Sequence, residues 1–150
     1  MVILLDNRRS GIEIDLHGFR RKTERLLEDL GCDPATILSI SIVDAEEMAD
    51  LNRKFRGQDR PTNVLAFSQI EGELTGLNTH LLGDVVICAD RAREEALELG
   101  YTDDEMVLYL LIHGVLHLVG YAHDEPSDAA EMSRRVDEIF AVLCPLDNET

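Results

Sequence analysis

The chain has 150 residues, 45% of them apolar and 29% charged, which is a globular composition and excludes a disordered chain. Its 30 acids outnumber 14 bases, for a net charge of −16. That balance excludes a broad nucleic-acid-binding face or a face for anionic lipid, since both need clustered Lys and Arg. The charge is uneven: residues 1–75 carry net −4 and residues 76–150 net −12. Arg53, Lys54, Arg56 and Arg60 form a basic cluster opposed only by Asp59.

In chain order, Met1 to Leu5 is apolar but too short for a signal-peptide core, and its charges follow it. Ile12 to Leu16 alternates apolar and acidic residues and predicts a half-buried strand. Phe19 to Leu30 predicts a helix stopped by Gly31. Ala35 to Val43, rich in β-branched residues, predicts a strand. Asp44 and Glu47 have the spacing of a capping box for a helix running to about Phe55. Gly57 to Pro61 predicts a turn, Asn63 to Phe67 a short strand, and residues 69–82 a loop. Asp84 to Cys88 predicts a buried strand, and Asp90 to Leu99 a helix closed by Gly100. Thr102 and Glu105 form a second capping box, opening a helix apolar on nearly every side and therefore central and buried. After Pro126, Ser127 or Asp128 is placed to cap a last helix ending near Leu143.

Strands and helices mix without strict alternation. The predicted fold is α+β: one domain over residues 1–150, with a mixed, about four-stranded sheet covered by helices. Cys32, Cys88 and Cys144 are odd in number and form no CxxC pair, so reduced thiols in a cytoplasmic protein are expected. The longest apolar stretch, Met106 to Gly120, contains two histidines and is short for a membrane span.

That stretch and the residues after it hold the chemistry. His113 and His117 are four apart on the central helix, so both rings leave one face and can share a metal ion. Gly120 can turn the chain back, and His123 then completes a three-histidine set. Three imidazoles with an open fourth position suit a catalytic Zn²⁺, although other divalent transition metals share the preference for imidazole. The spacing is that of the metzincin proteases, HExxHxxGxxH, except that Gly114 stands where those enzymes carry their general base. Metal-assisted hydrolysis by another route is therefore expected.

His113 to His123, HGVLHLVGYAH, resembles the HGxLHLxGYDH signature of the YbeY family of bacterial rRNA-maturation endoribonucleases. Leu51 to Phe67, LNRKFRGQDRPTNVLAF, resembles that family's LNxxFRGxDxPTNVLSF, and Leu81 to Ile87 its LLGDIVI. The three segments cover 35 residues in the family's order. Ala122 and Ser68 depart from its pattern, Ala122 replacing an Asp that could orient a ligand imidazole.

The resemblance implies a zinc-dependent, single-strand-specific endoribonuclease that matures the small-subunit rRNA 3′ end and serves ribosome quality control. It implies ribosomal RNA, the small subunit and assembly proteins such as Era as partners, with no membrane or DNA. His113, His117 and His123 take the ligand positions and Arg56 that of the functional arginine. Arg53, Lys54 and Arg60 are placed to guide the RNA backbone. A zinc-dependent protease or other metallohydrolase, and a non-catalytic assembly factor, are the competing readings.

Overall fold

A computed structural model describes residues 1–7, 11–57, 62–68, 80–121 and 126–144. Four strands form one sheet: β1 (Val2–Asp6), β2 (Ile37–Val43), β3 (Val64–Ser68) and β4 (Leu81–Cys88). Their order is β1-β2-β4-β3. The β1–β2 and β2–β4 pairs are parallel and the β3–β4 pair antiparallel, so the sheet is mixed. Five helices accompany it among the described residues: α1 (Leu16–Asp29), α2 (Ala45–Arg56), α3 (Ala89–Leu99), α4 (Asp103–Leu118) and α5 (Pro126–Leu143). The predicted α+β fold with its four-stranded mixed sheet is the observed one.

Alternation along the strands assigns the two faces. Leu38, Ile40, Ile42, Val85 and Ile87 join the large core with α1, α3, α4 and α5. Val43, Leu65, Val86 and Cys88 point the other way, where Met48 of α2 completes a smaller core. Val85–Cys88 of β4 is buried on both faces, which is why that part of the strand reads as a continuous apolar run.

The first strand differs from expectation. Residues 12–16 form no strand: Asp15 is the N-cap of α1, its carboxylate accepting the Gly18 N–H at 3.2 Å, and the helix begins at Leu16. Ile12 is buried without strand pairing. The edge position belongs instead to Val2–Asp6, paired residue for residue with Ile37–Ser41. Its Val2 and Leu4 are exposed, so it lacks the polar alternation that marks a half-buried strand. Arg20 donates to the Ile3 carbonyl.

Two other boundaries move. β4 starts three residues before Asp84, because Leu81 already pairs with Ile37. Residues 69–79 of the predicted loop lie outside the described residues. α5 starts at Pro126, so Ser127 and Asp128 occupy its first turn; proline suits a first helical position, where its missing N–H costs nothing.

The central helix is as the sequence predicts. Thr102 accepts the Glu105 N–H at 3.1 Å and Glu105 accepts the Thr102 N–H at 2.8 Å, closing the capping box. From Met106 to Leu118 every residue is buried except Tyr109, His113 and His117, an i, i+4, i+8 stripe. No helix among the described residues is long and apolar enough to cross a membrane. Cys32, Cys88 and Cys144 are free thiols, and burial pushes the Cys88 thiol pKa up.

Candidate active site

The two histidines of the half-buried α4 stripe open under the edge strand β3. His113 and His117 line a cleft of about 190 Å³ with Gly114, Val64 and Ala66 of β3, Thr62, Asn63 and Arg56. The cleft thus joins α4, the strand β3 that lies over it, and the last residue of α2. Larger hollows exist. One of about 410 Å³ lies between α2 and the sheet, and one of about 370 Å³ lies between the N-terminal ends of α1 and α4. Both are lined by carboxylates and apolar groups, and neither holds an imidazole. Chemistry, not size, singles out the histidine cleft.

Gly114 explains the missing general base. A Cβ there would lie 2.8 Å and 3.2 Å from the two methyls of Val85 and 3.3 Å from a methyl of Val64. The helix sits against the sheet at the one position with no side chain to hold it off. A glutamate at 114 has no room, so the departure from the protease pattern follows from packing.

Beyond His117 the helix ends in a Schellman turn. The Gly120 N–H donates to the His117 carbonyl at 3.2 Å and the Tyr121 N–H to the Leu116 carbonyl at 3.0 Å. Gly120 has φ +110°, a conformation that a Cβ disfavours. The turn predicted at Gly120 is present. His123 lies outside the described residues, as does Arg60. Among the described residues no three His, Cys, Asp or Glu side chains form a metal-binding group. The donor set in view is two imidazoles four residues apart, facing one open cleft, which fits an imidazole-preferring metal and leaves further coordination positions free.

Arg56 reaches the cleft because α2 stops there. Gly57, at φ +70°, ends the helix with its N–H donating to Arg53 and Asn52 carbonyls. The basic last turn of Arg53, Lys54 and Arg56 complements the negative end of the helix dipole. These three cations then diverge. Arg53 pairs with Asp50 at 2.7 Å, and Lys54 lies 5.5 Å from the Phe55 ring centroid. Neither lines the cleft; Arg56 does.

Asn63 braces the entry to β3. Its carbonyl accepts the Cys88 N–H at 2.9 Å, and its Nδ2 donates to Glu95 of α3 at 3.2 Å. The Glu95 contribution has no local sequence signature, because the partners are 32 residues apart. Asp84 lies outside this cleft and lines the hollow beside α2.

A family profile described as Endoribonuclease YbeY matches residues 4–143. Relatives named Endoribonuclease YbeY include one from Syntrophus aciditrophicus, 36% identical over 98% of this chain and 94% of that protein. Another, from Syntrophotalea carbinolica, is 40% identical over 93% and 94%. A solution structure of a Thermotoga maritima protein is 27% identical, covers 99% of this chain and 96% of its own, and superposes with a TM-score of 0.61.

Proposed function

This chain belongs to the endoribonuclease YbeY family, and from that premise we propose that it is a zinc-dependent endoribonuclease that cleaves single-stranded RNA during ribosomal RNA maturation. The proposal extends to the small-subunit rRNA 3′ end, ribosome quality control and assembly partners such as Era. The observation that carries it is the convergence of Arg56, His113 and His117 on one cleft.

In this reading His113, His117 and His123 hold one Zn²⁺. The ion would supply Lewis acidity toward a phosphoryl oxygen and a source of hydroxide at neutral pH. The chain's own groups supply the remainder. Arg56 offers a planar, permanently charged fork to the non-bridging oxygens, where negative charge grows as the phosphodiester breaks. It stands at a helix end, exposed, where an RNA strand can approach it. Val64, Ala66 and Gly114 place small groups beside the imidazoles and leave room for a phosphate between them and Arg56. Arg53 and Lys54, outside the cleft, are proposed to contact flanking phosphates, as is Arg60.

The test is RNA cleavage by protein stripped of metal and reloaded with zinc. Outer-shell partners of a metal already contribute 10- to 100-fold to its affinity, so losing a ligand should cost more than about 100-fold. His117→Ala is expected to lose zinc binding, read by calorimetry, together with cleavage. RNA cleavage at the wild-type rate by the metal-free His117→Ala protein would overturn the proposal.

A further inference from the structure

Asn63 is a polar cleft residue that the proposed chemistry does not use. Both of its halves are tied down. The Cys88 N–H, at the end of β4, holds its backbone carbonyl at 2.9 Å. Its side-chain Nδ2 donates to Glu95 Oε1 at 3.2 Å. Glu95 is half-buried on α3, whose Ala92 and Ala96 are packed in the core on either side of it in sequence. The carboxylate therefore projects from a fixed backbone.

A carboxylate offers acceptors only, whereas a primary amide has a donor end and an acceptor end. Glu95 thus decides which end of the amide faces α3. With Nδ2 engaged there, the carbonyl oxygen Oδ1 is the end turned away from Glu95. An aspartate-like acceptor is unusual equipment for a phosphate-handling cleft, because phosphodiester oxygens are themselves acceptors and cannot donate to it.

We propose that Glu95 is a positioning residue that holds Asn63 with its carbonyl oxygen toward the cleft, where it accepts a hydrogen bond from a ribose 2′-hydroxyl. The inference rests on the reading of RNA as substrate. Base donors differ from one nucleotide to the next. The 2′-hydroxyl is a donor that every ribonucleotide carries and no deoxyribonucleotide does. A fixed acceptor beside the scissile phosphate therefore selects sugar and not sequence. The Asn63–Glu95 pair gives the cleft a preference for RNA over DNA at one nucleotide.

The experiment compares binding of the full chain to a single-stranded RNA and to the DNA of the same sequence, by stopped-flow anisotropy before turnover. One neutral hydrogen bond corresponds to about a 5- to 10-fold ratio of affinities. Glu95→Ala is expected to bring that ratio close to one by weakening RNA binding while DNA binding stays the same. Glu95→Gln, which keeps an acceptor for Nδ2, is expected to retain the preference. Asn63→Asp sets carboxylate against carboxylate and should lose it, and adding Glu95→Gln to Asn63→Asp should regain it, because a donor–acceptor pair is restored with an oxygen left for the cleft. An unchanged ratio in Glu95→Ala overturns the proposal. So does an equal weakening of RNA and DNA, which is what a merely structural brace would produce. Absence of RNA cleavage by the wild-type chain would sink the proposed activity; the binding ratio reads the positioning role separately.

Discussion

Helices α4 and α2 both deliver side chains to one cleft, and they are held in opposite ways. α4 is enclosed on nearly every side and closed at its start by a reciprocal cap. α2 rests on a core of a few residues, carries an exposed Phe55, and ends in a cluster of cations. The difference matches the tasks proposed for them. Imidazoles that share an ion need a fixed separation, which a buried helix supplies. An arginine that meets an incoming strand needs to stand in solvent, which an exposed helix end supplies. The cleft combines a rigid side with an accessible one.

If that division holds, substitutions on the two helices fail differently. The largest effect beyond loss of a histidine is expected at Arg56. Arg56→Ala should lower kcat by about 100-fold, the scale for removing one preorganised donor to a developing charge. Zinc content and thermal stability should stay the same. Arg56→Lys should recover only part of the rate, because an ammonium cannot make the bidentate contact. A full recovery in the cleavage assay would reduce Arg56 to a point charge.

On α4 the expected losses are structural. Gly114→Ala gains up to about 1 kcal/mol of helix propensity. It also forces a methyl against Val85, which is fully buried. Overpacking of this kind costs about 1–3 kcal/mol, so the clash wins and urea denaturation should give a less stable protein. A stabilised Gly114→Ala protein would mean that helix and sheet are not locked at this contact. The smallest effect belongs to Thr102→Ala, which removes half of the capping box and should cost about 1 kcal/mol. Cleavage per folded molecule should be unchanged, since the cap lies at the opposite end of the helix from His117.

Much of this was legible in the sequence where the cause is local. The Thr102 box, the glycine stops at 31, 57, 100 and 120, and the four-residue spacing of His113 and His117 each depend on neighbours within one or two turns. The edge strand was not legible in the same way. Ile12–Leu16 has the alternation of a strand and Val2–Asp6 does not, yet pairing with β2 went to the latter because Asp15 is committed to capping α1. Strand choice is settled by a partner more than 30 residues away. Arg56 stood out only as one of four clustered cations until family likeness singled it out; the meeting of the α2 end with α4 is tertiary. The pairing of Asn63 with Glu95 was hidden by sequence distance. The need for glycine at 114 became clear only with Val85 in place.

The open stripe of α4 carries a geometric consequence for the third ligand. Each step of four residues overshoots a full turn by about 40°, so a residue eight away is rotated by about 80°. Tyr109 has already rotated out of the histidine cleft: its hydroxyl donates to Asp137 of α5 at 3.0 Å, and its pKa is pushed up to about 12 by burial and by that carboxylate. A straight helix can therefore aim two side chains at one point, but not three. Any third donor has to arrive on chain that has left the helix axis, and the turn at Gly120 is where this chain leaves it.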